Sequence, residues 1–319
     1  MAKVGEREDG SQVLTGVQVP ADADVIVLQR PAHPLQPQMV DMLRQNGIAV
    51  VVDMDDDMST IHPDNIAFTM YRHRSTSSPL SWKWAEESCR RATLVTATTP
   101  ALLRRYANPG RGLILENYIP GTCLTYDKPI TGNFGWAGTT KSHPNDLQVT
   151  GQTVQQLIDE GQQFRVVGGQ SKVKECLRLR DMPTVTGSVE LNQWVRMIAE
   201  TYDVGMIPLA PTAFNAGKSC LKGKEHMAVG IPFVYSPRED YRKLNRASGC
   251  GLPAETTKQW YAQLKRLLTD EVLWKEQSEM GKTYMQDQTY EAQAWRWMEA
   301  WEQAYKIQKG LEVTRAATR

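Results

Sequence analysis

The sequence predicts an α/β protein of two domains, each built on a parallel sheet. Three observations carry this. The chain has 319 residues, about twice the roughly 150 of a typical domain. Short β-branched runs alternate with helical stretches along its whole length, the pattern of strand–helix–strand units. The alternation pauses in the polar, turn-rich stretch TCLTYDKPITGN, which reads as a linker. The expected division is a domain over 1–130, a second over 131–285, and a C-terminal helix and tail over 286–319 that packs across the two.

The first set of strands is expected at Val25–Gln29, Ala49–Met54, Thr93–Thr98 and Leu113–Glu116, with Val13–Val17 as a weaker edge strand. Helices fit Gln38–Gln45, Leu80–Arg90 and a segment opening at Pro100, where Thr98 or Thr99 can cap and the proline suits the first turn. The second set places strands at Phe134–Ala137, Phe164–Val167, Val185–Val189, Val204–Leu209 and Phe233–Tyr235. Helices follow at Val149–Glu160, Leu191–Tyr202, Lys218–Val229 and Thr256–Thr269. Beyond Gly281 the chain reads as helical. Trp295, Met298, Trp301 and Tyr305 recur at spacings of three and four there, a stripe expected to pack.

Composition narrows the function classes. Lysine plus arginine is 37 and aspartate plus glutamate 36, a net charge of +1, without the basic excess of a protein built to grip nucleic acid. The cysteines, Cys89, Cys123, Cys176, Cys220 and Cys250, form no C-x-x-C pair, which argues against a zinc ribbon or disulfide framework and for a reducing compartment. The polar start MAKVGEREDGSQ does not resemble a signal peptide, and the longest nearby apolar run, Ile48–Val52, is far short of the roughly 20 residues of a membrane helix. The expectation is a cytoplasmic protein, in the host cytoplasm if encoded by a phage. No Ser-His-Asp order, H-E-x-x-H or Walker motif is present.

The segment from Asp203 to Pro237 carries the most chemistry. A buried strand, VGMIPL, leads through the small-residue loop FNAGKS into a helix expected to begin near Lys218. A helix N-terminus presents free amides and partial positive charge, which suits a phosphate. Lys218, Lys222 and Glu225 are spaced i, i+4, i+7 and would share one helical face. Lysines near a diphosphate and a carboxylate two turns on, accepting from ribose hydroxyls, would suit a nucleotide; a surface helix with charge pairs satisfies the same spacing.

Here the chain resembles the donor-binding region of GT-B glycosyltransferases, in particular the retaining family-four group and its bacterial and phage-type members. The residues that carry the resemblance are Asp203, Gly205, Pro208, Leu209, Phe214, Asn215, Lys218, Ser219, Leu221, Lys222, Glu225, Gly230, Ile231 and Pro232. FGWAGTTKSHPNDL resembles the first strand and loop of the GT-B donor domain, FRVVGG the next strand, and LILENYIP the end of the first domain. The resemblance implies two Rossmann-like domains with parallel sheets facing across a cleft, braced by C-terminal helices. It implies a UDP-, GDP- or ADP-sugar as donor, no tightly bound cofactor, and no need of a metal. Donor contacts would come from Gly138, Thr139, Thr140, Lys141, Gly168, Asn215, Lys218, Ser219, Lys222 and Glu225. Many members carry a second glutamate eight positions before the ribose-binding one; this chain has Gly217 there.

The other conspicuous cluster is VVVDMDDDM, with Asp53, Asp55, Asp56 and Asp57 at the end of a strong strand. Such carboxylates need a cation, arginines or solvent around them. They are expected to contact the acceptor together with Arg30 and His33. The alternatives are a solvated or capping loop and a magnesium, manganese or calcium site. His33 is a candidate base and Asp55 a candidate catalytic carboxylate. His143 and His226 are expected to be structural. Lys218 and the helix N-terminus would stabilise the departing diphosphate, with Lys141 assisting. The expected activity is sugar transfer to a hydroxyl of a protein or glycan. A modified nucleobase in DNA is the alternative acceptor, and a non-catalytic nucleotide-sugar binder the alternative class.

Overall fold

The computed structural model describes residues 2–6, 10, 12–71, 80–126, 128–169 and 172–311. Asp127 of the linker stretch and residues 312–319 of the expected tail lie outside the described residues. The chain forms two compact units. The first takes residues 1–63, 67–116 and 294–319, the second 64–66 and 117–293. The passage into the second unit comes at Asn117 rather than near residue 130, and the last helix belongs to the first unit.

The first unit opens on strands β1 (Ala2–Glu6) and β2 (Gln12–Val17), paired antiparallel as a separate two-stranded sheet. The segment expected as an edge of the main sheet is thus a hairpin arm. The main sheet holds β3 (Val25–Gln29), β4 (Ala49–Met54), β5 (Leu94–Ala97) and β6 (Gly112–Ile114), all parallel and in chain order. Because every crossover steps in the same direction and is right-handed, the helices Gln36–Gln45, Trp82–Arg91 and Pro100–Tyr106 are directed to one face. The last opens as expected, with the Thr99 side chain accepting from the Leu102 amide.

The opposite face is covered by the C-terminal helix Trp295–Lys309. Ala49, Val51, Leu94 and Leu115 pack there against Ala300 and Ala304, flanked by Trp297 and Trp301. Gln308 fastens the helix. Its amide nitrogen donates to the Arg44 carbonyl at 2.8 Å, and its oxygen accepts from the Thr93 hydroxyl at 3.0 Å. The expected packing stripe holds in part, since Trp301 packs at the seam. Trp295 and Met298 are 53% and 61% exposed, while the seam is made by two alanines, because small residues let a helix lie close on the flat row of Ala49 and Val51.

The second unit is a six-stranded parallel sheet of β7 (Asn133–Ala137), β8 (Gln163–Val167), β9 (Thr184–Val185), β10 (Val204–Ile207), β11 (Phe233–Tyr235) and β12 (Leu252–Pro253). Its order is β9-β8-β7-β10-β11-β12, which in the unit's own counting is 3-2-1-4-5-6, the Rossmann order. Side chains alternate across it. Phe134, Trp136, Val204, Met206 and Val234 enter one core, and Ala137, Ile207, Phe233 and Tyr235 the other.

Motif residues of the strand that begins DVG are explained by this packing. Asp203 accepts from Lys128, from the Thr131 amide at 2.9 Å and from the Gly132 amide, so it anchors the loop that enters β7. A Cβ on Gly205 would stand 2.3 Å from the His226 ring, and one on Gly135 2.1 Å from the Tyr202 ring. Those two rings are joined by the Tyr202 hydroxyl and His226 Nε2 at 2.9 Å. His226 is structural, as the sequence reading holds.

The seam of the C-terminal helix yields a prediction. Replacing Ala304, fully buried, by leucine should cost about 1–3 kcal/mol by overpacking, read as a lower urea midpoint. A change within about 0.5 kcal/mol, the size of a surface effect, would show that the helix is not seated as described.

Candidate functional site

In an open parallel sheet, ligands bind beyond the carboxyl ends of the strands where the order reverses. In the second unit that point lies between β7 and β10. The sheet of the first unit runs in chain order and has no such reversal.

A pocket of about 770 Å³ opens at the carboxyl ends of β7 and β8. Its walls are Gly138, Thr139, Lys141, Ser142, His143, Gly168, Gly169, Ser188, Val189, Trp194 and Lys222. The two loops meet at glycines. The Gly138 amide donates to the Val167 carbonyl at 2.9 Å. A Cβ on Gly168 would lie 2.3 Å from the Gly138 carbonyl oxygen, and Gly168 has φ +117°. Both features demand glycine, since the obstacle is backbone and cannot move aside. After Gly138 the chain turns tightly: the Thr139 carbonyl accepts from the Ser142 and His143 amides, at 3.3 and 3.2 Å.

Two cations stand on the wall. Lys141 is exposed. Lys222 lies with its ammonium 5.5 Å from the Trp136 ring centre and 3.3 Å from His143 Nε2. Burial lowers the Lys222 pKa from its ordinary value, against the opposing charges of Glu225 and Asp146, with Lys218 lowering it further. Glu225 is raised by burial, against a hydrogen bond from Trp194 and the charge of Lys222. The Trp194 indole nitrogen donates to Glu225 Oε2 at 3.2 Å. One carboxylate oxygen is thus held in place.

Several expectations are corrected. The helix expected over Lys218–Val229 runs Leu221–Ala228 with Cys220 at its N-cap, so Lys218 precedes it and does not share a helical face with Lys222 and Glu225. The helix N-terminus is also taken by the chain itself. The Cys220 amide donates to the buried Asp240 carboxylate at 2.7 Å, and the Gly223 amide is bonded to Tyr241. Two of the first amides at this helix end are therefore engaged within the chain. Lys218 lies 4.5 Å over the Phe214 ring and is not among the pocket walls.

Asn215 is buried and turned inward, donating to Asp146 Oδ1 at 2.6 Å and to the Ala210 carbonyl at 3.1 Å. Thr140 is buried and likewise absent from the walls. Ser219 accepts from the Asn117 amide nitrogen at 2.9 Å. Gly138, Thr139, Lys141, Gly168 and Lys222 are brought together, and Glu225 joins them through Trp194.

The sequence reading missed Trp194, Asp146, Asp240 and Lys224. Lys224 is buried, donating to the Asn117 carbonyl at 3.0 Å and standing 4.4 Å over Tyr118. It also set His143 aside as structural, whereas His143 lies on the pocket wall. The i, i+3 spacing of His143 and Asp146 just after a strand was the available signal. Nothing local marks Asp240, which acts through a fold contact twenty residues away.

In the first unit, the Arg30 guanidinium pairs with Asp55 at 3.4 Å, and Arg30 holds φ +46° with its amide on the Asp53 carbonyl at 3.0 Å. Asp53 accepts from the Thr96 hydroxyl at 2.6 Å. Burial raises both carboxyls, Asp56 adding to the effect at Asp55 and Arg30 opposing it at each. Asp57 is a cap: it accepts from the Ser59 amide and hydroxyl and from the Tyr106 hydroxyl. All three bonds end on Oδ1, the capping role that the sequence reading held as an alternative.

His33 is exposed, with Nδ1 accepting from the Leu35 amide at 3.2 Å. Among the described residues no three His, Cys, Asp or Glu side chains are grouped as a metal ion would require, and no helix is long and apolar enough to cross a membrane.

The fold is that of the GT-B glycosyltransferases, with two α/β units on parallel sheets. TarM superposes with a TM-score of 0.60 at 13% identity, over 87% of this chain and 54% of its own. Sucrose-phosphate synthase from Thermosynechococcus elongatus gives 0.60 at 15%, over 95% and 85%. The pneumococcal O-GlcNAc transferase GtfA, in complex with UDP and GlcNAc, gives 0.59 at 11%, over 88% and 56%. The chain thus spans about half the length of TarM and GtfA. No protein-family model matches the sequence, and no curated protein is significantly similar to it.

Two predictions follow from the geometry. Gly168→Ala should close the approach of the two loops and lower ligand affinity in the pocket at least tenfold, measured by calorimetry. Unchanged affinity would contradict the close contact. His143 and His226 are both held near 4, chiefly by burial, below the ordinary 6.5. The folded protein keeps both neutral while the unfolded chain takes up protons below about 6.5. Stability is therefore full above that pH and is lost as pH falls from 6.5 toward 4, by roughly 3 kcal/mol per ring at the acid end. Equal urea midpoints at pH 7.5 and 5 would refute this.

Proposed function

We propose that the protein is a glycosyltransferase that binds a nucleotide diphosphate sugar in the pocket of the second unit and moves the sugar to a hydroxyl of a protein or glycan. The observation that carries this is the pocket itself: a glycine-lined approach at the reversal of a Rossmann sheet, with two lysine ammoniums and a tethered glutamate around it. UDP is the favoured nucleotide, since TarM in one structure and GtfA are in complex with UDP.

In this reading the loop after β7, Lys141 and Lys222 receive the diphosphate, and Glu225 accepts from the ribose. The base lies between Gly168–Gly169 and Ser188–Val189. The anomeric C–O bond to the diphosphate breaks, negative charge builds on the departing phosphate, and fixed cations lower that barrier. The acceptor oxygen forms the new C–O bond to the anomeric carbon, and its proton passes to the departing diphosphate oxygen. We assign acceptor contacts to Arg30, Asp53, Asp55 and Asp56 in the first unit, and retention as the outcome.

The test begins with binding of UDP, GDP, ADP, dTDP and CMP, followed by mass spectrometry of nucleotide released from each matching sugar donor. Lys222→Ala and Glu225→Ala should each lower turnover on the order of 100-fold or more, and Lys218→Ala less than Lys222→Ala. Full activity in both of the first two variants would refute the site. Binding with neither hydrolysis nor transfer would leave a nucleotide-sugar-binding protein, and acceptor binding that falls steeply with salt would point to DNA.

A further inference from the structure

Asp146 is buried, and its two oxygens have separate tasks. Oδ1 accepts from the Ala210 amide at 2.8 Å and from the Asn215 side chain at 2.6 Å, which ties it to the loop after β10. Oδ2 faces His143 Nδ1 at 3.0 Å. An oxygen that accepts places the imidazole proton on Nδ1 and leaves a lone pair on Nε2. The group 3.3 Å from that lone pair is the Lys222 ammonium.

We propose that His143 is a positioning residue: oriented by Asp146, it holds the Lys222 ammonium at the place in the pocket where the donor's diphosphate binds. The inference rests on the nucleotide-diphosphate reading above. Lysine carries a point charge on a flexible stem, so aiming it beforehand removes ordering that binding would otherwise have to impose. The Trp136 ring face supports the ammonium from one direction and the imidazole from another, leaving further N–H donors for the ligand.

The groups that act on Lys222 are His143, Asp146, Lys218 and Glu225. Glu225 and Asp146 favour its charged form; burial and Lys218 oppose it. His143, held neutral by burial and the nearby lysines against the pull of Asp146, serves as an acceptor across the working pH range and adds no competing positive charge. Removing that acceptor takes support from the charged lysine, so the pH above which diphosphate binding fails should move down.

The test is calorimetric binding of UDP and of uridine between pH 6.5 and 10 to the full chain and its variants. His143→Phe should weaken UDP about tenfold or more, the scale of a charge-assisted hydrogen bond. It should also lower the pH at which UDP binding is lost, and leave uridine unchanged. His143→Gln, whose side-chain oxygen can accept from Lys222, should recover most of the affinity. In a Lys222→Ala background His143→Phe should cost nothing further.

Equal weakening of UDP and uridine, or the same loss with and without Lys222, would show a structural histidine and overturn the proposal. Wild-type UDP binding indistinguishable from that of His143→Phe overturns the proposal alone. Wild-type protein that binds none of UDP, GDP or ADP overturns it together with the reading on which it rests.

Discussion

The direction in which the chain steps from strand to strand governs both units. In the second, the order reverses between β7 and β10, so successive loops diverge there and the ends of β7 and β8 stand open. In the first, the strands follow one another without reversal and the right-handed crossovers lead to one face. That sheet would leave Ala49 and Val51 bare. The C-terminal helix, entering from the far end of the chain, covers them. One unit therefore has an opening made by its topology, and the other has a surface that only the last helix completes.

The handling of negative charge departs from the simplest form of the fold. A helix N-terminus is a ready anion site, yet here Asp240 and Tyr241 occupy first-turn amides of the helix Leu221–Ala228. The positive potential of the pocket comes from side chains instead. Lys222 is braced by an aromatic face and an imidazole, and Lys141 is free to approach. A buried chain of partners, Asn215 and the Ala210 amide on Asp146, Asp146 on His143, His143 on Lys222, connects the loop after β10 to the pocket wall. Much of the motif density in this region serves that framework: Asp203 anchors a loop, Gly205 makes room for His226, and Asn215 supports Asp146.

Most strands were legible from β-branched runs, and the cap at Thr99 from its residue type. The pocket glycines Gly138 and Gly168 were reached through the resemblance to the GT-B donor domain. Departures arise where a residue's partner is remote and where a side chain bonds its own near neighbours. Asn215 and Thr140 sit among site residues in the sequence but turn inward in the fold. Asp57 looked like part of an acidic patch and is a local cap, because a short carboxylate beside a serine bonds the nearby backbone. His33 has its accepting nitrogen filled by an amide two residues on. The aromatic repeat near the C-terminus had helical period, but only part of it packs: Trp301 lies at the seam beside two alanines, while Trp295 and Met298 are exposed.

By itself, the sequence determined the class of fold and most of its elements. These depend on local periodicity, turn chemistry and residue type, which neighbours in the chain express directly. Tertiary structure alone decided which lysine faces the pocket, which carboxylates are internal supports, and which histidine lies on the pocket wall. Those outcomes depend on contacts between segments tens of residues apart. A buried charge or hydrogen bond takes its meaning from the partner it meets, and the order of residues along the chain does not record that meeting.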